Sequence, residues 1–81
     1  MEQKEIENQV FEIVRSILGR DDIGMDTVLL GTGGVLDSVG IVQLLGMLEN
    51  RMGFEFDDDD LSLESLSTVE SLMKLVSRLS Q

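Results

Sequence analysis

The sequence has 81 residues, with 16 acidic and 6 basic side chains and a formal net charge of −10. We expect one domain, residues 1–81, because domains rarely fall far below about 100 residues. The charge argues against nucleic-acid binding, which needs lysine and arginine, and against anionic membrane surfaces. It favours a protein partner with a basic patch. Cysteine and histidine are absent, so zinc and other transition-metal sites lack their usual ligands and disulfides cannot form.

Apolar residues make up 42% of the chain, enough for a folded core. The charged N-terminus is not followed by an apolar stretch, so we expect no signal peptide. No apolar run approaches the length of about 18 residues that a membrane span requires. These features predict a cytoplasmic monomer that carries no metal and is not bound to a membrane.

The first predicted element is an amphipathic helix at residues 3–18. Acidic residues occupy one face, and Gly19 is a good residue to end the helix. The apolar stripe contains Ile6, Val10, Ile13, Val14 and Ile17. The connection that follows, residues 19–36, holds five glycines and several apolar residues, including Met25 and Val35. Long connections of this kind are usually functional or internally packed, so we expect this one to lie partly buried across the bundle.

The second predicted helix runs from residue 37 to residue 52, with Asp37 as the N-cap and Gly53 just after its end. Its inward stripe contains Ile41, Leu44, Leu45, Leu48 and Met52. Gly40 and Gly46 lie inside the helix, where each costs roughly 1 kcal/mol relative to alanine. We therefore expect another surface to approach the helix closely at these two glycines.

The C-terminal third contains one or two short helical turns within residues 58–65 and then a long helix. Ser67 and Glu70 have the spacing of a capping box, which predicts that the last helix begins there. Three long helices, one short helix and a long loop between the first and second helices predict an all-α four-helix bundle.

The acidic run Asp57–Asp60 could bind calcium, but it lacks the pattern of an EF-hand loop. Such a loop needs glycine at its sixth position and glutamate at its twelfth, where this sequence has Ser62 and Thr68. We interpret the run as a solvated acidic surface, with partner steering as the next alternative.

Ser38 follows Asp37 at the start of the second predicted helix. Its hydroxyl should be exposed near the positive end of the helix dipole, which favours an attached phosphate by about 0.3–1 kcal/mol. A nucleophilic serine needs a general base, and the chain has no histidine to supply one. The alternatives that remain are an ordinary helix cap and a serine that another enzyme modifies.

The segment Asp37-Ser38-Val39 resembles the motif of the acyl and peptidyl carrier proteins, with valine where leucine is usual. The resemblance extends over nearly the whole chain. It implies that Ser38 receives 4′-phosphopantetheine from coenzyme A through a magnesium-dependent phosphopantetheinyl transferase. The thiol of this arm then carries an acyl or aminoacyl group as a thioester, and the carrier itself is not an enzyme. Asp37 belongs to the same motif.

The stretch from Gly34 to Leu45 is similar to that of the D-alanyl carrier proteins, whereas residues 57–66 depart from them. The second helix has fewer acids than is usual in fatty-acid carriers, which favours a specialised pathway. The resemblance also implies that Val39, Met47 and Glu49 dock partner enzymes: the transferase, a loading ligase or acyltransferase, and downstream synthases with basic patches.

Two alternatives stay open. The chain could be an acidic helical adaptor that is never modified. Its apolar stripes could form either a packed core or a cavity for an acyl chain; the candidates are Leu44, Leu45, Leu48, Leu66, Val69 and Leu72.

Overall fold

The computed structural model describes residues 2–80, which form four α-helices and a 3-10 turn. The helices are α1 (Gln3–Leu18), α2 (Ser38–Met52), α3 (Leu63–Leu66) and α4 (Val69–Leu79), and the 3-10 turn is Asp58–Asp60. The all-α prediction of three long helices and one short helix is confirmed. Within residues 2–80, no helix is long and apolar enough to cross a membrane.

Glycine ends both α1 and α2, as predicted. Gly19 has a φ of 67° and Gly53 a φ of 79°, which is the left-handed region that glycine enters without steric cost. Their amides donate to the carbonyl oxygens of Arg15 and Glu49, four residues back. Each helix therefore ends at a glycine in the left-handed conformation.

The core consists of the apolar faces of α1, α2 and α4 together with Leu29 from the long loop and Leu66 from α3. The six residues considered for an acyl cavity belong to this packing: four are fully buried, Leu66 is 7% exposed, and Leu45 packs against the cluster from its edge. Core packing therefore accounts for all six. The fully buried members of the core are Val10, Ile13, Val14, Leu29, Leu44, Leu48, Val69, Leu72, Met73 and Val76.

The long loop lies across the bundle because its backbone bonds to the junction between α3 and α4. The Leu29 amide donates to the Ser67 carbonyl at 2.7 Å, and the Val69 amide donates to the Thr27 carbonyl at 3.1 Å. Leu29 is fully buried, as expected for an internally packed loop. Met25 and Val35 were also expected to anchor the loop, but they are 36% and 40% exposed.

The predicted capping box of the last helix is wrong by one residue. Thr68 is the N-cap: its Oγ1 accepts from the Ser71 amide, and the Ser71 Oγ accepts from the Thr68 amide, both at 3.1 Å. Ser67 has helical dihedral angles and donates its hydroxyl to the Glu64 carbonyl at the end of α3. Only Thr68 has the extended backbone that an N-cap requires.

The last three residues of the acidic run, Asp58–Asp60, form the 3-10 turn. This turn lies within the 58–65 segment, where short helical turns were predicted. Asp57 and Asp60 close it: the Asp60 carboxylate accepts from the Asp57 amide at 3.3 Å, and the Asp60 amide donates to the Asp57 carbonyl oxygen at 2.9 Å. Asp60 also accepts from Nη2 of Arg78 at 2.9 Å, which connects the turn to α4. Across the part of the chain that the structure describes, no group of three or more acidic side chains is arranged to hold a metal ion.

Candidate functional site

A glycine-rich turn determines where α2 begins. The Gly34 amide donates to the Gly31 carbonyl at 2.9 Å, and the Leu36 amide donates to the Leu29 carbonyl at the same distance. A Cβ at Gly34 would lie 2.8 Å from the Leu29 carbonyl oxygen, and Gly33 has a φ of 79°. Neither position accepts a side chain without a backbone shift or strain. Because Leu29 is buried, this turn connects the start of α2 to the core.

Asp37 is the N-cap of α2, as predicted. Its Oδ1 accepts from the Gly40 amide at 2.8 Å, which satisfies one of the helix's free amides. A Cβ at Gly40 would lie 3.0 Å from Cδ2 of Leu36, so the close contact at Gly40 comes from the residue four positions earlier and not from another part of the bundle. At Gly46 no atom lies within 4 Å of such a Cβ, and the expectation of a close approach was wrong.

Ser38 is the first residue of α2 and is exposed to solvent. The amides of Ser38 and Val39 are the first two of the helix and have no acceptor within it. A phosphate carried on the Ser38 Oγ would lie beside these amides at the positive end of the helix dipole, which is worth about 0.3–1 kcal/mol at an exposed position. The residues present therefore fit a phosphate ester at Ser38.

The chain offers this hydroxyl no evident activating base. The neighbouring carboxylate belongs to Asp37, whose Oδ1 holds the Gly40 amide. The sequence contains no histidine. An unactivated serine hydroxyl is a weak nucleophile, and its attack on another group requires a general base.

An apolar surface adjoins the hydroxyl along α2. Val39 is 64% exposed and Val42 is 66% exposed, and with Ser38 and Gln43 they line a shallow depression. Sequence reasoning included Val39 but missed Val42. The signal was present, because a residue three positions after Val39 lies on the same helix face and outside the inward stripe.

Met47 and Glu49 lie at the other end of α2. Met47 is nine residues from Ser38, or about 14 Å along the helix axis, and is 36% exposed. The Glu49 side chain is half-buried, and its Oε2 accepts from the Phe56 amide at 2.8 Å. The structure thus brings Asp37, Ser38 and Val39 together at the helix start and gives Glu49 a contact within the fold.

A family model described as a phosphopantetheine attachment site matches residues 8–79. The chain belongs to this phosphopantetheine-binding family. Its fold is also similar to the solution structure of a holo acyl carrier protein from Nitrosomonas europaea. The two chains are 31% identical and superpose with a TM-score of 0.73, over 90% of this chain and 92% of the other. A comparison with curated proteins finds no significant match.

Family and fold together show a carrier protein that bears covalently attached 4′-phosphopantetheine. Carriers of this family are generally not enzymes. They interact with a phosphopantetheinyl transferase, which installs the arm, and with synthase enzymes.

Proposed function

We propose that the Ser38 Oγ is the attachment point of the arm and that the arm's thiol carries an acyl or aminoacyl group as a thioester between partner enzymes. The observation that supports this most directly is the placement of Ser38: an exposed hydroxyl in the first turn of α2, directly after the Asp37 cap. The chain contains no cysteine, so the carrier's only thiol is the one that the arm supplies.

The attachment step is a phosphoryl-type transfer from coenzyme A. The Ser38 oxygen attacks the phosphorus that bears the pantetheine, a new O–P bond forms, and the P–O bond to the adenosine portion breaks. Adenosine 3′,5′-bisphosphate leaves, and the hydroxyl proton passes to a base of the transferase. This chain contributes the hydroxyl, the helix-start amides and the rigid position.

The cargo belongs to a specialised pathway in this proposal. We place an aminoacyl group of the D-alanyl type first, loaded by an adenylating ligase, and a short acyl group second. The similarity of the stretch from Gly34 to Leu45 to the D-alanyl carrier proteins supports this order. The uncharged stretch of α2 that follows Ser38 supports it as well. The dedicated loading enzyme, the transferase and the synthases are its partners, and Val39, Met47 and Glu49 are the predicted docking residues.

Intact-mass measurement tests the attachment. The purified apo chain is incubated with coenzyme A, magnesium and a broad-specificity phosphopantetheinyl transferase. We expect a mass increase of one phosphopantetheine group, which is absent in Ser38→Ala. Ser62→Ala is the matched control, because Ser62 is also an exposed serine at a helix start, and it should be modified as wild type.

An adduct that persists in Ser38→Ala would contradict the assignment. An unmodified wild type would favour the alternative of an acidic adaptor. That alternative predicts that Ser38→Ala retains biological activity, whereas reversing the charges of Asp57–Asp60 abolishes it. Assaying adenylating ligases and acyltransferases on the holo form then identifies the cargo.

A further inference from the structure

A groove lies on the side of the bundle that α1, α4 and the long loop form together. Its volume is about 420 Å³, and none of the residues that line it belongs to α2, the helix that begins with Ser38. Small-molecule sites in proteins have volumes of about 300–1,000 Å³, so the groove is large enough for a small ligand. It is therefore a candidate binding site separate from the one at Ser38.

Two methionine side chains give the groove an apolar floor. Met73 on α4 is buried and packs with the core, whereas Met25 on the long loop is 36% exposed. A backbone bond holds Met25 beside α4, because its carbonyl oxygen accepts from the Glu70 amide at 2.9 Å. Methionine is flexible and polarizable, so this floor can adapt to a hydrocarbon chain.

Basic side chains border this floor, although the chain as a whole has a formal net charge of −10. Lys74 and Arg78 both line the groove, and they lie on the same face of α4 because they are four residues apart. Nη2 of Arg78 donates to Asp60 at 2.9 Å. Lys74 forms no ion pair within residues 2–80. Among the described lining residues the one carboxylate belongs to Glu70, so the groove carries more positive than negative charge.

We propose that this groove binds a free carboxylic acid with an apolar chain, in addition to whatever the arm carries. The chain lies along Met25 and Met73, where burial of hydrocarbon is favourable, and the carboxylate lies at the ammonium group of Lys74. A cationic head group at the same place would face Lys74 and Arg78 and would be repelled. Binding here does not depend on the modification of Ser38, so the apo and holo carriers should bind the acid alike.

The charge of the head group tests the proposal. The isotopically labelled apo chain is titrated with octanoate, octanol and octylammonium, each below the concentration at which it forms micelles, and the amide shifts are followed by NMR. We expect octanoate to bind with a Kd about threefold or more below that of octylammonium, with the largest shifts at Met25 and at residues 73–78. Without a local cationic site the order would be the reverse, because the net charge of the protein attracts cations.

Substitutions that change the charge of the groove in opposite directions give a second readout. Lys74→Gln should raise the Kd for octanoate about threefold, and Glu70→Gln should lower it, because one removes an attractive charge and the other a repulsive one. Arg15→Gln is the matched control for Lys74→Gln, since Arg15 is an exposed basic residue on α1 outside the groove, and its Kd should equal that of wild type. The Kd for octanol should be the same in all three variants, which separates a charge effect from a change in structure.

Three results would overturn the proposal. The first is octylammonium binding in the groove as tightly as octanoate, and the second is octanoate shifts that are absent or confined to α2. The third is a Lys74→Gln variant that binds octanoate as Arg15→Gln does. None of these results bears on the arm, because the mass increase expected at Ser38 is measured without any of the three ligands.

Discussion

The carboxylate of Asp37 accepts a hydrogen bond from the amide of Gly40 at 2.8 Å, and Ser38 lies between them in the first turn of α2. The bond holds the backbone on both sides of the serine, so the hydroxyl is presented from a fixed helix start. Leu36 lies over the same turn, with its Cδ2 3.0 Å from where a Cβ of Gly40 would be. The position of Ser38 therefore depends on a polar cap and an apolar contact together.

Removing the cap acceptor should destabilise the protein. We expect Asp37→Ala to lower the free energy of unfolding by about 1 kcal/mol, because the Gly40 amide loses its partner. Asp37→Asn keeps an acceptor oxygen and should lose much less. Urea unfolding followed by circular dichroism measures both, and equal losses for the two variants would show that the Asp37 side chain does not cap α2.

The two glycines inside α2 should respond differently to alanine. Gly46→Ala should stabilise the protein by about 0.5–1 kcal/mol, because its Cβ would meet no atom within 4 Å and alanine is the better helix former. Gly40→Ala should gain less or lose stability, because Leu36 has to move. The same urea unfolding experiment compares them, and equal stabilisation would mean that the contact with Leu36 gives way freely.

Substitutions at the start of α4 test which residue caps it. Thr68→Ala should lower the free energy of unfolding by about 1 kcal/mol, since the Ser71 amide loses its acceptor. Ser67→Ala should change it by less than about 0.5 kcal/mol, because its hydroxyl bond to Glu64 is exposed. Thermal unfolding of both variants shows which residue is the N-cap of α4. A larger loss of stability in Ser67→Ala than in Thr68→Ala would reverse the assignment.

Glu49 should contribute to stability as well as to any docking. Glu49→Ala leaves the half-buried Phe56 amide without its partner, so we expect a loss of about 1–2 kcal/mol and faster hydrogen exchange at that amide. Glu49→Gln retains an acceptor and should recover much of the loss. Amide exchange by NMR tests this directly, and unchanged protection of Phe56 in Glu49→Ala would contradict it.

The carboxyl of Asp22 should titrate well below its ordinary range. A hydrogen bond from Arg20, 2.6 Å between Nε and Oδ1, is the main cause that lowers the pKa of Asp22 from 3.8 to about 2. Its stabilisation is present above the ordinary pKa and is lost as pH falls toward 2; it is small because both groups are exposed. In an NMR titration, Arg20→Gln should raise this pKa, whereas Arg15→Gln should leave it unchanged.

Local pattern was sufficient to predict the long helices and the exposed serine. The spacing of apolar residues predicts α1 and α2, and Gly19 and Gly53 mark their ends, because helix periodicity and the left-handed glycine cap are properties of neighbouring residues. The Asp37 cap and the first-turn position of Ser38 follow for the same reason. Family resemblance then added the phosphopantetheine arm, which periodicity alone does not indicate.

Contacts that depend on how the chain is placed just before or after a helix were not predictable in this way. Gly40 and Gly46 look alike in the sequence, but only Gly40 has Leu36 against it. Ser67 and Thr68 are both acceptable caps, and the end of α3 leaves only Thr68 with an extended backbone. Such outcomes depend on where another element ends or packs.

The sequence by itself determined the class of fold, the long helices, and a serine at a capped helix start, because each depends on residues within one or two turns of one another. Only the tertiary structure decided how residues 25–30 bond to the α3–α4 junction and how the glycine turn connects to buried Leu29. These features depend on which surfaces meet or stay uncovered when the helices pack, and one-dimensional spacing does not contain that information.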